Sequence, residues 1–209
     1  MQQISDPGAV HAVLNDPAYT VPPVPPGDTG LIWLRATVSR FSNGEVHARR
    51  RALVVGLLDT IDPDALRASV PAHPVVLLAD ALGVDGSTVE DDVRLIAAAY
   101  QPGSGPEGPA VDAAVARVVG VFGGAYDEPT AARICLLVQA CAATTTLIDR
   151  AKGRDLSDDP PVVATKRQAP TGEIVLLSLR GDPDLAFGAG PRRCPGRLHA
   201  LAIVEGARR

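Results

Sequence analysis

Aromatic residues, cysteine and surplus basic charge are all scarce in this sequence, and each scarcity removes a class of protein. Only 3% of the 209 residues are Phe, Trp or Tyr. The core must therefore be built from Leu, Val, Ile and Ala, which pack helices closely but offer few large anchors. Cys135, Cys141 and Cys194 are an odd number of cysteines without framework spacing. This excludes a disulfide scaffold and points to a reducing cytoplasm. A zinc site fails on spacing too, because Cys194 has no cysteine near it and Cys135 and Cys141 lie too far apart for a C-x₂₋₄-C pair. Cys135 and Cys141 stand in an apolar helical run and read as small buried residues. Lys and Arg number 20 against 24 Asp and Glu, a net charge of −4, which argues against a nucleic-acid partner. No apolar run is long enough to cross a bilayer and no basic-then-apolar leader is present, so no membrane association is expected. The length suits one domain with a real core.

What the chain does have is a dense run from Phe187 to Ala200: Phe-Gly-Ala-Gly-Pro-Arg-Arg-Cys-Pro-Gly-Arg-Leu-His-Ala. It sets Cys194 at the mouth of a predicted helix, Pro195–Ala207, behind a glycine loop and among arginines. Each residue type has a task if Cys194 ligates the iron of a haem. The ligand is a thiolate, and a helix N-terminus and nearby positive charge both lower a thiol pKa. Gly188 and Gly190 let the backbone pass close under a flat macrocycle, and Gly196 gives clearance on the other side. Phe187 can pack on the ring, and Arg192 can pair with a propionate.

The complete pattern F-G-x-G-x-R-x-C-x-G-x-x-x-A resembles the haem-binding signature of the cytochrome P450 family. The resemblance implies a mainly α fold with a small β-sheet around haem b, with Cys194 on the iron. Two further segments are similar to that family. His47 and Arg51 lie four residues apart, hence on one helix face, in a helix that Ser42 and Glu45 are expected to open as a capping box. The pair is similar to the H-x-x-x-R that binds haem propionates; on its own it also reads as a solvated basic face. Ala140–Thr145, inside a long helix predicted over Asp127–Arg150, resembles the oxygen-binding groove. Thr144 there matches the threonine that guides protons, while Cys141 stands for a glycine and Ala143 for an acid. Backbone hydrogen bonding is the alternative task for these threonines.

The rest of the chain reads as short helices over Asp6–Asn15, from Asp62, over His73–Leu82 with Gly83 as C-cap, and from a Ser87–Glu90 capping box to Tyr100. Thr20–Thr29 and Gln101–Pro109 read as connectors, and Gly153–Pro161 as a loop. Strands are expected at Val162–Arg167 and Glu173–Leu179 around a turn at Pro170–Gly172. Arg167 matches a third propionate arginine. The E-x-x-R motif is not found, the region of helices J and K and the C-terminal strands appear missing, and His11 reads as a surface residue. The expectation is one domain, residues 1–209, an internally shortened member of the family.

The function implied is a haem-thiolate monooxygenase acting on a small organic substrate, with a ferredoxin-type electron donor. Arg49, Arg50, Arg193 and Arg197 would form a basic patch for that donor. Two alternatives remain open: a peroxide-driven or non-redox haem-thiolate enzyme, and a degenerate helper protein without catalysis.

Overall fold

The computed structural model describes residues 1–150 and 158–209. Most of the expected loop Gly153–Pro161 therefore lies outside the described residues. Helix α1 (Pro7–Asn15) starts where the Asp6 carboxylate accepts a hydrogen bond from the Ala9 N–H at 2.8 Å. It ends ahead of Pro17, as predicted. Helix α2 (Gly30–Thr37) follows the Pro/Gly connector and was not expected. Helix α3 (Gly44–Asp59) begins with Asn43 as N-cap, so the Ser42–Glu45 capping box does not form. Ser42 is occupied elsewhere: its Oγ donates to the Val38 carbonyl at 2.7 Å and accepts from Arg50 Nη1 at 2.6 Å.

Helices α4 (Pro63–Ala68) and α5 (Pro74–Ala81) start at Asp62 and His73, and Gly83 closes α5 with φ of +80°. Helix α6 (Glu90–Tyr100) also lacks its expected capping box. The Asp85 carboxylate takes both the Ser87 N–H and its hydroxyl, at 3.0 and 2.6 Å, while Glu90 turns to Arg94. Helix α7 (Pro109–Val121) is a further element the patterning did not single out. Helix α8 (Glu128–Arg150) is capped by Asp127, which accepts from the Thr130 N–H at 2.8 Å. Helix α9 (Arg197–Gly206) follows the cysteine loop.

Helix α8 is the axis of the molecule. Helices α2, α3, α5, α6, α7 and α9 all touch it, and Ile134, Cys135 and Leu137 are fully buried. By length and mean hydropathy (1.6) it is apolar enough to cross a bilayer, contrary to the reading of the sequence, yet just over half of its apolar stretch (56%) is buried inside the protein. Its apolar character here is that of a core helix.

A second, smaller core lies under a three-stranded sheet. Strand β1 (Gln2–Ile4), also unexpected, pairs parallel with β3 (Ile174–Ser178), and β2 (Ala164–Gln168) pairs antiparallel on its other side. The β2–β3 turn is where it was predicted, with the Ala169 and Glu173 backbones bonded and Gly172 at φ of +87°. Val175 and Leu177 bury one face of β3 against Val10, Val13 and Leu14 of α1. His11 is not a free surface residue: its Nε2 sits 2.9 Å from Asp182 Oδ2, tying α1 to the segment before the cysteine loop.

Candidate functional site

A half-open, mostly apolar cavity of about 270 Å³ separates the two cores, close to the lower end of the ~300–1,000 Å³ seen for small-molecule pockets. One wall is α8, where Ala140, Ala143, Thr144 and Leu147 recur at helical spacing. The facing wall is the Phe187–Ala189 loop with Cys194, Gly196 and the first turns of α9. Helix α3 supplies His47, Arg51, Val54 and Leu58, and β2 supplies Arg167. Thr144 is buried, and its hydroxyl makes no hydrogen bond among the described residues. Thr145, one step round the helix, does bond its own backbone, donating to the Cys141 carbonyl at 2.6 Å. Cys141 does not line the cavity, so its replacement of a glycine leaves the wall unchanged.

Of the residues singled out from the sequence, Thr144, His47, Arg51, Arg167, Phe187, Gly188, Arg192, Cys194 and Gly196 all line this one cavity. Gly190 does not. Its Cα faces α1, where a Cβ would stand 2.5 Å from the Leu14 carbonyl oxygen. The glycine is needed for that close approach, not for clearance in the cavity. Gly188 has φ of +70° with nothing crowding it, so there the demand is conformational.

The thiol also departs from expectation. Cys194 is exposed as a residue, but the surrounding walls desolvate its sulfur and push the pKa up. The Gly196 backbone N–H and the Arg51 charge pull the other way without prevailing. Cys135, fully buried and bonded to the Tyr100 hydroxyl at 3.5 Å, lies outside the cavity and is likewise pushed up.

The cations at one end of the cavity define its electrostatics. Burial, with Arg192, Arg51 and Arg167 nearby, lowers His47 to about 4. Burial and neighbouring arginine charge bring Arg167 and Arg192 down to about 10. Arg192 Nη2 donates to the Ser42 carbonyl and to Asn43 Oδ1, and Arg51 Nη2 donates to the Arg193 carbonyl at 2.5 Å. Among the described residues no carboxylate is within ion-pair distance of His47, Arg51, Arg167 or Arg192 and no Asp or Glu lines the cavity. In the basic patch expected from Arg49, Arg50, Arg193 and Arg197, the first two share one carboxylate, Glu128, at 2.8 Å, which offsets only part of their charge.

Sequence reasoning missed Arg40, Gln139 and His199 as cavity residues. The i, i+3, i+4, i+7 spacing of Gly196, His199, Ala200 and Ile203 on α9 was the available signal for His199. Its Nε2 lies 3.1 and 3.0 Å from the Leu58 and Ile61 carbonyls, bracing α9 against α3. At the far end of α8, Arg150 Nε pairs with Asp159 Oδ2 at 3.1 Å, fixing the approach to β2.

No family model matches the sequence, and no curated protein matches it significantly. Solved structures do resemble it. P450BioI, in complex with an acyl carrier protein ligated to hexadec-9Z-enoic acid, matches with a TM-score of 0.65 at 17% identity, over 99% of this chain and 83% of that one. A substrate-free cytochrome P450 from Bacillus megaterium matches with a TM-score of 0.61 at 17% identity, over 96% and 81%. A substrate-free cytochrome P450 from Mycobacterium marinum gives 0.54 at 15% identity, over 98% and 79%. The cavity thus lies within a mainly helical chain with a small sheet that has the cytochrome P450-like fold.

Proposed function

We propose that this chain binds haem b through the Cys194 thiolate and is a haem-thiolate oxidoreductase, a monooxygenase acting on a small organic substrate. The observation that carries the reading is the meeting of Cys194, Thr144 and unpaired cations in one apolar cavity. The residues fit the group. Apolar walls suit a flat macrocycle, and among the described residues His47, Arg51, Arg167 and Arg192 have no anionic partner of the kind two propionates would supply. A bound haem with a thiolate ligand supplies oxygen activation and favours O–O cleavage.

The protein's own residues prepare that site. Burial holds the Cys194 thiol protonated, so binding to iron would have to displace its proton, and the Gly196 N–H and Arg51 favour the thiolate that results. Thr144 keeps a hydroxyl available on the facing wall. Leu147, Leu179 and Ile203 exclude water from the sides. The similarity to P450 structures extends over nearly the whole chain, which supports reading residues 1–209 as one internally shortened domain. Three free cysteines support a cytoplasmic location. A ferredoxin-type donor would meet the exposed Arg193 and Leu198 beside Cys194.

One observation favours a second reading. Ala143 stands in place of an acid and no carboxylate lines the cavity among the described residues, which weakens proton delivery from solvent to Thr144. A peroxide-driven or non-redox reaction needs no such delivery. Turnover with peroxide in the absence of any reductase distinguishes it.

Carbon monoxide added to the reduced, haem-reconstituted protein tests both. A red-shifted Soret band that disappears in Cys194→Ala is the expected result. Failure to take up haem would overturn both enzyme readings and leave the non-catalytic helper.

A further inference from the structure

Arg40 is a cation of the cavity that no role yet uses. It lies in the single 3₁₀ turn Ser39–Phe41 between α2 and α3, and lines the cavity. Its guanidinium carbon stands 5.5 Å from the centroid of the Phe41 ring. That contact offers an aromatic face but no acceptor. Among the described residues Arg40 makes no hydrogen bond and no ion pair. Arg133 and Arg197 likewise show only an aromatic contact among the described residues, but Arg133 does not line the cavity and the Arg197 guanidinium stands over Phe187. Several other arginines are paired. Arg35 is bonded to two carbonyls and Glu107, Arg49 and Arg50 to Glu128, and Arg150 to Asp159.

A guanidinium carries five N–H donors in a rigid planar fork, a shape matched by the two oxygens of a carboxylate. Left unmatched in a mostly apolar cavity, those donors cost free energy that an anion would remove. The charge of Arg40 is also felt by its neighbours: after burial, it is the strongest influence depressing Arg167 and Arg192. Like charges gathered with no acid beside them among the described residues favour a ligand of opposite sign.

We infer that Arg40 is a carboxylate-binding residue of the cavity, its guanidinium fork taking both oxygens of a carboxylate borne by the ligand. Two sources share that chemistry: the edge of the haem, or an acid substrate. Only the first rests on the haem reading.

The test titrates the wild type, Arg40→Leu and Arg40→Lys with haemin, with haemin dimethyl ester, and by calorimetry with dodecanoate and dodecanol. Pairing with the haem edge weakens haemin binding by Arg40→Leu on the order of a hundredfold and leaves the dimethyl ester unchanged. Pairing with a substrate leaves haemin unchanged and weakens dodecanoate by a similar factor, without affecting dodecanol. Arg40→Lys, which keeps the charge but loses the fork, falls between. Where Arg40→Leu fails to fold, Arg40→Lys carries the test, with a loss of about tenfold expected. Wild-type affinities in the folded variants, for both carboxylate probes, overturn the inference while the haem reading stands. Absence of haemin uptake by the wild type sinks the haem reading, and the dodecanoate arm then decides Arg40 alone. A wild type that binds neither probe overturns the inference.

Discussion

A methyl group added at Gly190 would stand 2.5 Å from the Leu14 carbonyl oxygen and 3.0 Å from Asn15 Oδ1, on a backbone with φ of +66°. At Gly188 the same addition meets only the strained φ of +70°. Gly188→Ala should therefore cost about 1–2 kcal/mol, and Gly190→Ala at least ~3 kcal/mol, since the C-terminus of α1 must also move. Urea melts of the two variants check this, and equal losses would contradict it. His47 makes a pH prediction. Its folded pKa, lowered from 6.5 to about 4 by burial and then by Arg192, means that the folded state holds fewer protons than the unfolded one. Stability should fall as pH drops from 6.5 through about 4, and His47→Gln should flatten that slope. Proton NMR of the histidine rings gives the pKa directly, and a bound anion, by offsetting the arginines, should raise it. The cysteine loop is legible from sequence at this scale because its chemistry fixes residue identity position by position. Arg40 is not, because an arginine before a phenylalanine carries no local signal, and only the fold makes it a cavity residue.

The elements that were legible are those whose ends carry their own chemistry. Asp127 with Pro129 announces α8, and Pro170–Gly172 announces the β2–β3 turn. The two capping boxes misled because Ser42 and Ser87 each had a better partner, in Val38 and Asp85. Helix α2 escaped notice because its decisive contacts are tertiary. It presents a buried arginine, Arg35, whose Nε donates to the Tyr100 carbonyl at 2.9 Å and whose Nη2 donates to the Ala99 carbonyl and to Glu107. Arg35 thereby caps the C-terminus of α6 from another helix, a task usually met locally. Arg35→Met keeps the bulk and removes the donors. It should cost about 2–3 kcal/mol by leaving buried carbonyls unpaired, and amide exchange at the end of α6 should quicken. Unchanged exchange there would show that the cap is dispensable.

At the scale of the whole molecule, the family resemblance assigned the cysteine loop and the long helix to one haem site, and both line one cavity. What spacing could not show is how the sheet is completed. Strand β1, residues 2–4, lies parallel to β3, residues 174–178, a pairing too distant and too short for local pattern to reveal. Synthesis gives that arrangement a timetable. Chains emerge from the ribosome N-terminus first, so α8 is exposed before either β2, β3 or α9 exists to close the cavity beside it. For that interval the axial helix of the fold has one flank bare, and β1 has no strand to join. A chain arrested at residue 158 should thus be degraded readily by protease and be held by chaperones, whereas one extended through residue 209 should resist. Resistance of the arrested chain would mean that the helical core stands without the sheet. The order of events would also date the proposed cofactor: a haem could be caged only once synthesis has passed α9, when that helix meets elements made long before it.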